Sequence, residues 1–176
     1  FTADEVSDKI DALYTDGWEG GSSTGWETLD PYYTVKPCEL TVVTGIPNSG
    51  KSSWLDHLCV KLAEINDWGF ALFSPENQPI EDHMAQLIEK HVRRPFSHGP
   101  QQRMTPAEKD EAKAWLSRYF HWILPADDSE WTIDMILDRA RQLVYRHGIR
   151  GLVIDPWNEL EHLRPHGMTE TEYISQ

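Results

Sequence analysis

Short continuous apolar runs and longer amphipathic stretches alternate along the chain. The runs ELTVVTG (39–45), GFALFS (69–74), HWILP (121–125) and RGLVID (150–155) sit between turn-forming residues and read as buried strands. Helical spacing predicts helices over about Lys51–Asn66 and Ile80–Val92. Another opens at Thr105, with Pro106 at the first helical position and Glu108 completing a capping box. The clearest helix is TIDMILDRARQLVYRHG, where Ile133, Ile136, Leu137, Ala140, Leu143 and Val144 recur at i, i+3, i+4, i+7, i+10 and i+11. Arg146 and His147 suit its last turn and Gly148 its stop. Strands alternating with helices predict the α/β class, a mostly parallel sheet with helices on both faces.

The ends read differently. Residues 1–17 predict a helix ending at Gly17, with only Val6, Ile10 and Leu13 on one narrow apolar stripe. Such a helix makes no core of its own and is expected to dock on its own domain or on a neighbouring chain. A Gly/Ser-rich loop, GWEGGSSTGWETLD, follows it. The expected division is therefore a linker helix at 1–17 and one partial domain at 18–176. MTETEYISQ has a capping-box start at Thr169 and Glu172, so the domain is expected to be C-terminally truncated, part of something longer.

Composition then narrows the setting. At 176 residues the chain suits one domain. No run approaches the roughly 18–20 apolar residues of a membrane span, and no secretory signal opens the chain. Cys38 and Cys59 lack metal-site spacing. A cytosolic, soluble protein is expected. A net charge of -13 argues against a domain that grips nucleic acid alone; basic clusters lie only at Lys90–Arg94 and Arg139–Arg150.

Chemistry concentrates at three strand ends. Residues 45–52, GIPNSGKS, satisfy GxxxxGK[ST]. The glycines allow backbone N–H groups to turn towards phosphate oxygens, and the following helix adds its positive end. Gly45, Pro47, Asn48, Ser49, Gly50, Lys51, Ser52 and Ser53 are the candidate nucleotide-binding residues. Lys51 suits the β- and γ-phosphates of ATP, and Ser52 suits Mg2+. Asp155 ends a buried strand, where an acid can hold that magnesium through water or merely begin a turn. Glu76, in FALFSPEN, suits either the activation of an attacking water or the capping of the next helix.

Other candidates weigh less. His162 and His166 have metal-like spacing, but Pro165 breaks the helix that spacing needs. Trp54, Trp115, Trp122 and Trp131 lie in or beside elements and suit core packing. Trp157, directly after Asp155, is the aromatic to watch beside a nucleotide, and Trp26 is placed to meet a partner.

The order STGWETLD, ELTVVTGIPNSGKSSW, FALFSPEN, GLVIDPWNELEH resembles the DnaB-type replicative helicases of the RecA superfamily. It is most similar to the helicase half of phage and mitochondrial primase-helicases. The resemblance runs from about Gly17 to the end. It implies a RecA-like P-loop NTPase core in a ring hexamer that hydrolyses ATP and moves 5′→3′ along single-stranded DNA. It maps Lys51 and Ser52 to the phosphate and magnesium groups, Glu76 to the general base and Asp155 to the metal-side aspartate. Val6–Leu13 matches a linker helix that packs on the adjacent protomer. The family's sensor residue, DNA-binding loops and arginine finger lie beyond Gln176, so this chain is expected to be weakly active or inactive by itself. A primase domain is a further expected partner, and the resemblance implies a cytoplasmic setting in a bacterial host or a phage-encoded protein. Competing readings are a non-unwinding RecA-superfamily ATPase (recombinase-like or a regulatory switch), a small-molecule P-loop kinase and a nucleotide-gated assembly module.

Overall fold

The computed structural model describes residues 2–17, 20–124 and 131–156. It divides into two units, Phe1–Val42 and Val43–Gln176. Trp157, His162, His166 and the helix start at Thr169 lie outside the described residues.

In the first unit, a 3-10 turn at Asp4–Val6 leads into α1 (Ser7–Asp16). Gly17, at φ 77°, closes the helix by donating its N–H to the Leu13 carbonyl. Within this thin stripe Ile10 and Leu13 are exposed. The loop read as Gly/Ser-rich is well tied. Ser22 and Val35 form an isolated antiparallel bridge. Asp30 receives the hydroxyls of Ser23 and Thr24 at 2.6 and 2.7 Å and the Thr24 N–H at 2.8 Å.

The second unit carries α2 (Lys51–Asn66), β1 (Phe70–Phe73), α3 (Ile80–Val92), α4 (Pro106–Tyr119), β2 (Phe120–Trp122), α5 (Ile133–His147) and β3 (Gly151–Ile154). The three strands form a parallel sheet in the order β2-β1-β3, with Phe70 opposite both Phe120 and Gly151. All four residues of β1 are buried, as a central parallel strand requires. Alternation splits them between two faces. Ala71 and Phe73 pack with Ile123, Trp131, Ile149 and the α5 residues Ile136 and Ala140. Phe70 stacks on Phe120, which meets Trp115 of α4. Gly151 is glycine for a steric reason, because a Cβ there would overlap the Phe70 ring.

The helix signals appear in the structure with their chemistry. Thr105 and Glu108 form the reciprocal capping box, and Thr132 accepts from the Met135 N–H at the start of α5. Gly148, at φ 65°, ends α5. The apolar stripe of α5 is wider than the face it buries, however: Leu137 and Val144 stay exposed.

One strand expectation is overturned. Residues 39–45 form no strand and pair with none of the described strands. Leu40 is 91% exposed and Val42 76%. An apolar run encodes a tendency to be buried, but a strand exists only when a neighbour supplies its ladder. Among the described residues, β1 is paired on both sides by β2 and β3, and none pairs with 39–45.

Candidate functional site

The phosphate-loop segment, 45–50, is an exposed turn ending at α2. Asn48 and Gly50 adopt positive φ, 60° and 85°, and Gly50 is the N-cap of α2 in the left-handed region. A glycine there leaves the backbone free to swing its N–H groups to one side. The first turn of α2 has no side-chain cap and no acid, so its N–H groups and the positive end of its dipole are open. Lys51 folds back over the loop, its Nζ donating to the Gly45 and Ile46 carbonyls at 3.0 Å each. Ser52 and Ser53 are exposed on the same turn. Free amide donors, an open helix N-terminus and one ammonium are the groups that suit a polyphosphate.

The other two candidates meet at the C-terminal end of the sheet. Phe73 and Ile154 are register partners, so Ser74 and Asp155 leave the sheet side by side, and the Asp155 N–H donates to the Phe73 carbonyl at 2.9 Å. The buried Ser74 hydroxyl joins the two turns. It donates to the Asp155 carbonyl at 3.1 Å and accepts from Asn77 Nδ2 at 2.6 Å. Glu76 lies between Ser74 and Asn77 in that turn, with its side chain exposed. Helix capping does not occupy it, because α3 begins after Pro79 without any side-chain cap.

Glu76 and Asp155 are thus brought to one edge. Among the described residues no hydrogen bond or ion pair joins Lys51 or Ser52 to either acid. Sequence reasoning did not place Ser74 and Asn77 in the site, yet they fix the Glu76 turn to the Asp155 turn. The signal was their flanking of the glutamate in SPEN. An oxygen donor set of Ser52 and Asp155 suits Mg2+, which takes one or two protein ligands and fills the rest of its shell with water and phosphate. Cys59 is buried, and its thiol is pushed far up by desolvation, with Asp56 adding to the effect, so it is no nucleophile.

No helix among the described residues is long and apolar enough to cross a membrane. No family model matches the chain, and no solved structure does. The chain is 52% identical over 182 residues to the Twinkle homolog protein, chloroplastic/mitochondrial, of Arabidopsis thaliana. That match covers 100% of this chain and 26% of the plant protein, so the chain spans about a quarter of its relative's length. The relative's name carries two organelle addresses and gives no support to the expected bacterial or phage setting in a cytoplasm. Over the segment the two proteins share, this chain is a close homologue of the plant Twinkle homolog protein.

Proposed function

We propose that the chain supplies the phosphate-binding and hydrolytic residues of an ATP-dependent replicative DNA helicase with a RecA-like core. The observation that carries this reading is the uncapped N-terminus of α2 behind the positive-φ turn at Asn48 and Gly50, with Lys51 lying across it. The homology to the Twinkle homolog protein supports it, and the parallel α/β sheet is compatible with it.

In this reading the loop amides bind phosphate oxygens, and Lys51 exchanges two carbonyl acceptors for the β- and γ-phosphates. Ser52 and Asp155 hold Mg2+, which when bound neutralises charge developing on the phosphates. Glu76 accepts a proton from the attacking water at its carboxylate and orients it. The exposed stripe of α1, Ile10 and Leu13, packs against the next subunit of a ring. Single-stranded DNA is the track, and the chain works in an organelle.

The test is Lys51→Ala in the intact protein that carries this chain. DNA-stimulated ATP hydrolysis is expected to fall by on the order of 10²–10³-fold, the loss typical of removing one preorganised group aimed at developing charge. Unwinding of a 5′-tailed duplex falls with it. Normal unwinding by the variant overturns the reading. ATP hydrolysis that depends on Lys51 without any unwinding shifts it to a non-unwinding ATPase of the same superfamily.

A further inference from the structure

A buried polar cluster outside every motif joins three elements of the second unit. His83 of α3 is 3% exposed, and its Nε2 lies 3.1 Å from Oδ1 of the buried Asp56 in α2. Trp122 of β2 donates its indole N–H to His83 Nδ1 at 3.4 Å. Lys90 Nζ stands 3.8 Å from the second Asp56 oxygen. An indole N–H can only donate, so Nδ1 is the acceptor and Nε2 carries the proton that Asp56 receives. That assignment fixes the imidazole in one orientation.

The placement of these groups gives the cluster a use. Asp56 lies one helical turn beyond Ser52, and His83 lies in the first turn of the helix that follows the Glu76 turn. A second link between the two helices, His91 to Glu64 at 2.8 Å, sits at their far ends. Among these pairs, Asp56, met by both His83 and Lys90 of α3, is therefore the point nearest the phosphate loop at which α2 and α3 are joined. We infer that His83 is a positioning residue, holding the Glu76 turn at a fixed offset from the helix that carries Lys51 and Ser52. This rests on the reading of Glu76 as the base. Phosphate binding uses groups of the loop and α2 alone, so loosening α3 displaces Glu76 and leaves the phosphate contacts in place. The defect belongs in kcat rather than in KM.

The experiment is a double-mutant cycle in the intact protein, reading ATPase kcat, KM and thermal midpoint. His83→Leu is expected to lower kcat about tenfold with KM for ATP within about threefold, since a misplacement near 1 Å costs up to about 10² in rate. His83→Gln keeps a donor for Asp56 and an acceptor for Trp122, and restores kcat to within about threefold of wild type. In a Glu76→Gln background, His83→Leu gives no further loss of kcat while lowering the thermal midpoint as before. A full additional loss in that background overturns the inference, as does a Gln variant no better than Leu. Should His83→Leu fail to fold, Trp122→Phe, which removes only the indole donor, must show the same dependence on Glu76, and additivity there also overturns it. ATPase unaffected by Lys51→Ala refutes the site reading itself, and this inference with it.

Discussion

Residues 39–45 and 70–73 are both apolar runs ahead of a turn that carries candidate site residues, and they end in opposite surroundings. In β1 each residue is buried, and both backbone edges are paired. In 39–45 Leu40 and Val42 face solvent and the backbone joins no ladder. Composition does not separate the two, since Val and Thr favour strands at least as much as Ala does. What separates them is the supply of neighbours. Phe70–Phe73 lies between β2 and β3, each following a helix that returns the chain to the sheet. The general lesson is that a strand is a property of a pair, whereas a helix is a property of a segment.

The largest expected effect tests this contrast directly. Leu72 is 2% exposed, and Leu72→Ala removes its methyl groups from a closed core, which costs about 2–5 kcal/mol. Val42→Ala in the same chain is expected to change stability by less than about 0.5 kcal/mol, because its side chain is already in water. Urea denaturation of the two variants measures both. A Val42 cost comparable to that of Leu72 would break the comparison and make 39–45 a core strand in solution.

The same contrast explains how much was legible in sequence. Helices carried their own punctuation: Thr105 with Glu108, and Gly148, each act within one turn, so reading neighbours along the chain was enough. Three of the four strand runs found their partners, and the α/β class followed. The lead-in to the phosphate loop did not, because pairing is set by residues far away in the chain. The loop itself was legible, since Gly50 and Asn48 encode a local backbone shape. The bond network that binds the acids' turns was not, because Ser74 and Asp155 are 81 residues apart and meet only through the register of β1 and β3.

A smaller effect sharpens the helical half of the contrast. The Thr105 hydroxyl accepts from the Glu108 N–H at 3.2 Å, and the Glu108 carboxylate accepts from the Thr105 N–H at 2.8 Å. Thr105→Ala is expected to cost about 1 kcal/mol in urea denaturation, the usual worth of an N-cap, although Thr105 buries almost nothing. An unchanged midpoint would mean that tertiary packing alone sets the start of α4.

The smallest effect concerns a third way of ordering a segment, with a single bridge in place of a strand or helix. Residues 22–35 precede the unpaired run, yet they are held by polar contacts centred on Asp30. The hydroxyls of Ser23 and Thr24, together with the Thr24 N–H, hold the Asp30 carboxyl below its ordinary range. Thr24 is fully buried, whereas Asp30 stays partly in water, which limits what the knot contributes. A carboxyl with a depressed folded pKa stabilises above its unfolded value, about 3.9, and that contribution is lost as pH falls through the lower folded value. The Thr24 amide resonance is therefore expected to titrate with a midpoint below about 3.9. Asp30→Asn should abolish that titration and leave the amides of 39–45 unmoved. A midpoint at the ordinary value would mean that the three donors turn to water in solution, and that residues 22–35 are no better ordered than the run that follows them.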